Sequence, residues 1–243
     1  MRLKVNLVKK AFILLALAMP VTFVGCDMRS ADSIDSEEMI VNELNIKIFD
    51  FAANTMVCYD ETKNGVIVDP GMSSQLEQKV LLDFIKKENI VVKYIINTHP
   101  HGDHTVGNAF CIKKFKAPLA AHEAGLSLYN NPEYNDATDA KYDVLLGDGD
   151  NLTFGNQYWK VLYTPGHADG SICLYDEKNK LVIVGDVLFA GSIGRSDFLT
   201  GNSLQLMESI NEKLLSLGDD VIVIPGHGET TTIGNEKTNN PFL

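Results

Sequence analysis

Three histidines and an aspartate fall within six consecutive residues of this sequence, in the segment His99-Pro100-His101-Gly102-Asp103-His104. Imidazoles and carboxylates are common ligands of borderline divalent ions such as zinc, so this composition predicts a metal site. His99 and His101 are two residues apart and can point the same way from an extended backbone. Asp103 and His104 follow the flexible Gly102 and can turn towards a second position. One segment can therefore serve two adjacent ions.

Three other positions place the same residue types where predicted strands end. In 164–167 and in 225–228 a histidine follows a Pro-Gly pair, which favours a tight turn. The pair Gly185-Asp186 ends a third strand with a carboxylate. The histidine-rich segment also follows a β-branched run, 91–97, that is typical of a buried strand. The candidate metal ligands are therefore His99, His101, Asp103, His104, His167, Asp186 and His227, and the candidate catalytic residues are Asp103 and Asp186.

The number of candidate ligands exceeds what one tetrahedral ion can use. We expect two divalent ions per chain, with zinc the first expectation and iron or manganese admissible, and a bridging carboxylate would explain the odd number of ligands. Two ions about 3.5 to 4 Å apart can hold a hydroxide and polarise a carbonyl, which is the machinery of hydrolysis. The remaining histidine, His122, lies outside every motif and is expected to be structural.

The elements that must position these residues are strands and helices in alternation. Apolar residues recur at helical spacing over 73–89, with Ser73 or Ser74 as the N-cap, and again over 203–217. This pattern indicates an α/β or α+β fold. The turn-rich segment 129–136 is expected to be a surface loop beside a pocket. Predicted strands are 45–51, 55–59, 65–68, 91–96, 150–154, 158–163, 171–175, 180–184 and 220–224, and the predicted pocket walls are Tyr129, Tyr134 and Phe198.

Charge and cysteine content narrow the possible functions. Residues 1–25 contain 4 of the 21 basic residues and none of the 32 acidic ones, so their removal changes the net charge from −11 to −15. Such a surface repels a phosphate backbone, and we do not expect a nucleic-acid substrate. Besides Cys26, the cysteines are Cys58, Cys111 and Cys173, which do not form a disulfide framework. We expect them to be buried, or to form one pair with one left over.

The first 25 residues have the features of a signal peptide. Four cations precede an apolar run over 11–24 that is short for a membrane-spanning helix. The run ends in Gly25-Cys26, which resembles the lipobox of bacterial lipoproteins, and a plain secretory signal is the alternative. We expect an exported protein anchored to the membrane by a lipid on Cys26. The polar, acidic stretch 26–44 is expected to be a flexible tether, and 45–243 to be one globular domain.

The order of the candidate ligands, from 99–104 through His167 and Asp186 to His227, resembles that of the metallo-β-lactamase superfamily. The resemblance runs from about residue 45 to the end of the chain. It implies an αββα sandwich, in which two mixed β-sheets carry helices on their outer faces. It also implies that one ion is held by His99, His101 and His167, the other by Asp103, His104 and His227, and that Asp186 bridges them.

Further motifs, at 164–167, 191–197, 225–228, 231–234 and 240–242, are similar to those of short glyoxalase II-type (hydroxyacylglutathione hydrolase-like) enzymes. Zinc β-lactamases of the commonest class have cysteine where Asp186 stands, which weakens a lactamase assignment. Few residues follow His227, so we expect no helical C-terminal extension of the kind that helps full-length glyoxalase II to bind glutathione. The candidate substrate-binding cations are Lys237 and Arg195, and the latter can instead pair with Asp197 in its own loop.

Our main hypothesis is a binuclear hydrolase of thioesters or related acyl esters, in which a metal-bridging hydroxide attacks the carbonyl of a small-molecule substrate. A lactonase is closely related to this hypothesis. A mononuclear iron persulfide dioxygenase on the same fold would need two histidines and one carboxylate, and a catalytically silent lipoprotein would need none of the ligands. The presence of all the candidate ligands favours the hydrolase.

The lipobox-like sequence makes a prediction about Cys26. The substitution Cys26→Ser should move the protein from the membrane fraction to the soluble fraction, because two or three acyl chains anchor a protein stably whereas one gives only marginal binding. Fractionation of cells producing each form, followed by immunodetection, measures the distribution. An unchanged distribution would contradict lipid attachment at this cysteine.

Overall fold

The computed structural model describes residues 34–132 and 141–243. Within these ranges strands and helices alternate along the chain. The strands are β1 (Ser36–Val41), β2 (Leu44–Asp50), β3 (Asn54–Tyr59), β4 (Asn64–Val68), β5 (Val91–Ile96), β6 (Leu119–Ala121), β7 (Val144–Leu145), β8 (Asn151–Phe154), β9 (Gln157–Tyr163), β10 (Ile172–Asp176), β11 (Leu181–Gly185), β12 (Leu188–Phe189), β13 (Ser192–Ile193), β14 (Ile222–Pro225) and β15 (Thr231–Thr232). The α-helices are α1 (Gln75–Glu88), α2 (Gly102–Thr105), α3 (Asn108–Phe115), α4 (Leu126–Tyr129), α5 (Ser203–Ser209) and α6 (Ile233–Asn239).

Most strands belong to two mixed sheets. The first sheet runs in sequence order from β1 to β7, antiparallel as far as β4 and parallel from β4 onwards. The second has the order β15-β14-β11-β10-β9-β8, in which β11 and β14 are parallel and the other pairs antiparallel. The expected pair of mixed sheets is therefore confirmed.

The central strands show why the sheets stack face to face. In β11, Leu181 and Ile183 belong to the core between the sheets, whereas Val182 and Val184 belong to a separate apolar cluster on the other face. Successive side chains of a strand point to opposite faces, so a strand that is apolar throughout must be covered on both sides. The covering layer on this outer face includes Leu206 of α5.

Helices cover the outer face of the first sheet in the same way. Leu81 and Ile85 of α1 and Cys111 of α3 pack in one cluster with apolar residues of β2 to β6. The capping box of α1 resolves the two serines considered for its start: the Ser74 hydroxyl accepts a hydrogen bond from the Glu77 amide, and the Glu77 carboxylate accepts one from the Ser74 amide. The layers are thus helix, sheet, sheet and helix, which confirms the αββα sandwich.

The folded unit begins earlier than the sequence predicts. Part of the expected tether, 26–44, is β1, which pairs with β2 along its whole length. Its acidic and mostly exposed residues have the composition of a tether, but an edge strand needs partners on one side only and can keep polar side chains in solvent. The domain boundary at residue 45 is therefore too late. The helix predicted over 203–217 also differs, because α5 gives way to a π-helical turn at Ile210–Leu214.

The predicted signal peptide, Cys26 and the tether up to residue 33 lie outside the described residues, as does Tyr134. In the described part of the chain, no helix combines the length and apolar character needed to cross a bilayer. The cysteines there, Cys58, Cys111 and Cys173, are buried and unpaired, as expected for small apolar residues.

Candidate metal centre

The seven candidate ligands converge where strands from both sheets end. The loop after β5 carries His99 and His101, and the single helical turn α2 carries Asp103 and His104. Two parallel pairs, β4 with β5 and β11 with β14, bring their carboxyl ends to the same place. The remaining candidates follow β9, β11 and β14, in the order His167, Asp186 and His227.

The first group of side chains is His99, His101 and His167. One nitrogen from each ring lies within 4.8 Å of the others, and all three side chains are buried. His101 Nδ1 is 2.9 Å from His167 Nε2. The Nε2 atom of His99 is buried and has no hydrogen-bond partner among the described residues. Buried polar atoms are normally satisfied, so an unpaired nitrogen beside two others fits a ligand of a cation.

The second group is Asp103, His104 and His227, whose ligand atoms also lie within 4.8 Å of one another. His227 Nε2 is 3.1 Å from Asp103 Oδ2 and 3.3 Å from His104 Nε2. His104 is fully buried, whereas the side chains of Asp103 and His227 are 42% and 41% exposed. This group is therefore the side of the centre that is open to solvent.

Asp186 lies between the two groups. Its Oδ1 is 3.4 Å from His104 Nε2, and its Oδ2 is 3.6 Å from His227 Nε2 and 3.7 Å from His167 Nε2. Oδ1 is buried without a hydrogen-bond partner in the described chain. A carboxylate that lies within 3.7 Å of histidines from both groups is placed to bridge them. The structure thus brings all the sequence-predicted ligands together, and their donor set fits two divalent cations.

Hydrogen bonds on the outer side of the rings aim the histidine nitrogens inwards. His104 Nδ1 is 3.0 Å from Asp69 Oδ2, and His167 Nδ1 is 2.7 Å from the carbonyl oxygen of Arg195. A carbonyl or carboxylate oxygen can only accept, so each ring in its neutral form carries its proton on Nδ1 and its lone pair on Nε2. Partners of this kind fix the tautomer and orientation of metal-binding histidines.

Sequence reasoning missed Asp69, a fully buried residue directly after β4. Its Oδ1 accepts a hydrogen bond from the Thr98 amide at 2.8 Å, and its Oδ2 accepts one from the Thr98 hydroxyl at 2.6 Å in addition to that from His104. The same hydroxyl lies 3.1 Å from His99 Nδ1. One carboxylate therefore orients two histidines. The signal available in the sequence was an acidic residue between the apolar run of β4 and the turn pair Pro70-Gly71.

A second set of buried polar residues forms hydrogen bonds beneath the loop that carries the histidines of 99–104. Asn97 donates to the His104 carbonyl at 3.1 Å, and Asn108 donates to Asn97 at 2.7 Å and to the Tyr129 hydroxyl at 2.7 Å. Tyr129 is 2% exposed and belongs to the core beneath the first sheet. Its prediction as a pocket wall is wrong, because the end of α4 turns its ring inwards although the following residues have a loop composition.

Burial and neighbouring charges shift the pKa values of several candidate ligands. Burial, reinforced by the neighbouring histidines, lowers the pKa of His101 to about 4 and holds that of His99 well below its usual value. Burial would also lower the pKa of His104, but Asp69 and Asp186 outweigh it and raise that pKa well above its usual value. Burial opposes ionisation of Asp103 as well, but its hydrogen bond with His227 lowers its pKa to about 2. Protons therefore compete with metal most strongly at His104.

A cavity of about 530 Å³ opens beside the centre. Phe198 lines it, as the sequence predicts, and so does Arg195, which stacks over the Phe198 ring at 4.5 Å and makes a two-pronged ion pair with Asp197. Lys237 does not line the cavity but pairs with Asp219 at 2.6 Å, so its prediction as a substrate contact is wrong. The other residues along the wall are His101, Gly102, Asp103, His167, Asp186, Phe189, Ser192 and Ile193.

His122 has the structural place expected of it. Its Nδ1 accepts a hydrogen bond from the Ala124 amide at 3.1 Å, and its ring stacks on Tyr163 at 4.1 Å between centroids. It contributes to none of the potential metal groups of the described chain.

The fold and the two ligand groups define a class of protein. A model of the metallo-β-lactamase superfamily matches residues 49–227, and the chain belongs to this superfamily. It is 37% identical over 213 residues to the hydroxyacylglutathione hydrolase GloC of Haemophilus influenzae, a match that covers 82% of this chain and 98% of that protein. The crystal structure of the B3 metallo-β-lactamase BLEG-1 has a TM-score of 0.74 and 32% identity, with 86% of this chain and 99% of that chain covered. A di-iron-bound crystal structure of TTHA1623 has a TM-score of 0.70 and 30% identity, with coverages of 79% and 95%.

The contacts of Asp69 make a prediction. The substitution Asp69→Asn should lower the affinity of the centre for divalent metal by about 10- to 100-fold, the usual effect of losing a residue that orients a metal ligand. An amide NH₂ group facing His104 Nδ1 would move the imidazole proton to Nε2 and remove the lone pair that faces the centre. Metal content after dialysis against graded chelator measures the effect.

Asp60→Asn is the matched control. Asp60 is also a fully buried aspartate directly after a strand, but it accepts its hydrogen bonds from Thr62 and Asn156 and takes no part in the centre. Equal metal contents in the two variants would show that Asp69 does not orient the ligands.

Proposed function

We propose that this protein is a binuclear metal-dependent hydrolase of thioesters or related acyl esters, of the glyoxalase II type. The observation that carries the proposal is the pair of inward-facing ligand groups that share Asp186 beside an open cavity. The relative named hydroxyacylglutathione hydrolase supports the substrate class, since that name describes a thioesterase and the match covers nearly all of that protein.

Each ion would have its own protein ligands. One would be held by His99, His101 and His167, the other by Asp103, His104 and His227, with Asp186 shared between them. Bound there, two divalent ions would supply Lewis-acid polarisation of the carbonyl and activation of water, so the mechanism requires no serine or cysteine nucleophile. Zinc is our first expectation for both positions, with iron or manganese admissible.

The residues of the chain supply orientation and binding. Asp69 and the Arg195 carbonyl hold two rings in place before substrate arrives, so no reorganisation is needed during the reaction. The apolar walls formed by Phe189, Ile193 and Phe198 provide the contact area for an acyl or thiol group next to the ligands.

Metal analysis combined with a substrate panel tests the proposal. Protein purified without chelator should contain two divalent ions per chain and should hydrolyse thioesters faster than lactones or β-lactams. About one iron per chain, with oxygen uptake on persulfides, would instead identify a dioxygenase. Hydrolysis of lactones alone would make the protein a lactonase.

Asp186 should be essential where His122 is not. The substitution Asp186→Ala should reduce kcat/KM by more than about a hundredfold, since even residues that only orient metal ligands contribute 10- to 100-fold. His122→Ala should change kcat/KM little, because that side chain caps a turn outside both ligand groups. Similar losses of kcat/KM in both variants, measured on the same thioester, would contradict the purely structural role of His122.

The residues that line the cavity indicate how strongly the protein can select the thiol part of a thioester substrate. Recognition of the two carboxylates of glutathione needs cations, and Arg195 is the one lysine or arginine among the lining residues in the described ranges. Its guanidinium is already paired with Asp197, and both side chains are 67% exposed. Binding should therefore depend mainly on the metals and the apolar walls, which discriminate between related groups by only about 1 to 3 kcal/mol per methylene.

We expect D-lactoyl-glutathione to be hydrolysed without a large advantage over the same acyl group on a simpler thiol. The measurement is the ratio of kcat/KM for D-lactoyl-glutathione to that for the matching N-acetylcysteamine thioester. A preference above about a hundredfold, some 2.7 kcal/mol of transition-state discrimination, would reveal a glutathione site, and Arg195→Ala would be the first variant to examine.

A further inference from the structure

One wall of the cavity is a hairpin formed by β12 and β13, which contributes Phe189, Ser192 and Ile193. The hairpin is a separate two-stranded sheet and joins neither main sheet. A two-stranded hairpin is marginally stable by itself in water. Contacts with other elements must therefore hold this wall against the cavity.

The tip of the hairpin is attached to the C-terminal helix. The Gly191 amide donates to Glu236 Oε2 at 2.8 Å, and the Ser192 carbonyl accepts from Asn240 Nδ2 at 3.0 Å. Glu236 lies on α6 and Asn240 is the C-cap of that helix. The wall that faces the substrate is thus held by two side chains that do not themselves line the cavity.

Glu236 is fully buried and is satisfied entirely by hydrogen bonds. Its Oε1 accepts from the Thr231 hydroxyl at 2.6 Å and from Asn235 Nδ2 at 2.8 Å, while its Oε2 accepts from Asn240 Nδ2 at 2.8 Å as well as from Gly191. Neither lysine nor arginine pairs with it in the described part of the chain. A buried charge is costly unless donors are aimed at it, so this carboxylate fixes the helix and the hairpin tip relative to each other.

The helix end of this connection is fixed to the second sheet. Ile233 is fully buried in the outer core cluster, and its amide donates to the Val221 carbonyl at 3.0 Å. The ion pair of Lys237 with Asp219 lies on the exposed outer side of the helix and contributes little to this attachment. Glu236 therefore attaches the hairpin to α6, a helix that is itself fixed to the second sheet.

We propose that Glu236 is a positioning residue for substrate binding, which holds the wall carrying Phe189 and Ile193 through its hydrogen bond to Gly191. The Phe189 ring lies 6.4 Å from the His227 ring, so the wall it belongs to faces the ligand groups. This inference rests on the proposed function, because the wall can select a substrate only if the cavity binds one. Glu236 touches none of the candidate ligands, so its effect falls on KM and leaves kcat and metal content unchanged.

The substitution Glu236→Gln tests the effect on substrate binding. It keeps the size of the side chain but replaces one acceptor oxygen with an NH₂ group. That group must face either Gly191 and Asn240 or Thr231 and Asn235, and either orientation removes an acceptor from the network that holds the hairpin. KM for thioesters with apolar acyl groups should rise about tenfold, with kcat within about twofold and two metals per chain retained. Lys237→Ala is the control on the same helix, since it removes the pair with Asp219 and should leave KM unchanged.

Hydrogen exchange of the free protein tests the attachment without any substrate. Amides of the 188–194 segment should exchange faster in Glu236→Gln than in the wild type, while those of 91–105 exchange at the same rate. If Glu236→Gln does not fold, Asn240→Ala takes its place, with Asn239→Ala as control. Asn240 donates to the hairpin, whereas the neighbouring Asn239 is exposed and bonds to Asn235 within the helix.

The two measurements separate the possible failures. Unchanged exchange of 188–194, or an equal rise in KM in Lys237→Ala, would overturn the role of Glu236. A loss of metal or a fall in kcat with constant KM would do the same, because either result would place its effect at the ligands. If the wild type hydrolyses no thioester, the proposed function fails and the role in substrate binding fails with it, while the exchange result still decides whether Glu236 holds the hairpin.

Discussion

A buried carboxylate that is not a candidate ligand holds the centre together. Asp69 directly follows β4 and accepts hydrogen bonds from the backbone and side chain of Thr98, which follows the neighbouring strand β5. It also holds His104 by its Nδ1. Parallel pairing alone would bring two strand ends close together without fixing any side chain. Asp69 converts that closeness into defined ring orientations, and its burial makes each of these hydrogen bonds costly to lose.

The close approach of the segments that carry the ligand groups depends equally on two glycines, which have no Cβ atom. A Cβ at Gly226 would collide with Asp186 Oδ1 and would lie 2.6 Å from His104 Cε1. A Cβ at Gly194 would collide with the Asp186 carbonyl oxygen and would lie 3.4 Å from His167 Cβ. These positions leave room for a backbone where a side chain would force the ligand groups apart. In the Pro-Gly-His segment 225–227, the glycine therefore allows this close contact in addition to the turn.

The sequence predicts the candidate ligands that the structure brings together because their information is local. Each histidine or aspartate stands in a short motif with turn residues beside it, and the chemistry of those residue types has few alternatives. The stacking of the layers came from the resemblance, since alternating apolar residues do not say which sheet faces which. Asp69 was missed because a single aspartate before Pro70-Gly71 is equally typical of an ordinary turn.

Two other differences between the sequence predictions and the structure arise from contacts between distant segments. The sequence predicts Lys237 as a substrate contact because it is a cation in the tail, whereas tertiary packing pairs it with Asp219 outside the cavity. β1 has the composition of a tether because an edge strand takes its stability from backbone pairing with β2 and not from its side chains. Information of this kind is carried by contacts between distant segments, so local composition does not reveal it.

The cavity combines parts of very different stability. The ligand groups stand at the ends of strands such as β4 and β11, whose apolar residues are covered on both faces, and segments of this kind open only when the whole domain unfolds. The hairpin wall belongs to neither main sheet: Leu188 packs its base in the outer core cluster, and hydrogen bonds to Glu236 and Asn240 hold its tip. Heating should therefore loosen the tip of the wall before the cooperative transition, whereas the ligand groups should stay assembled until the sandwich melts. A tip that moves in this way would admit substrates of different shapes without loosening the side chains that would keep the ions.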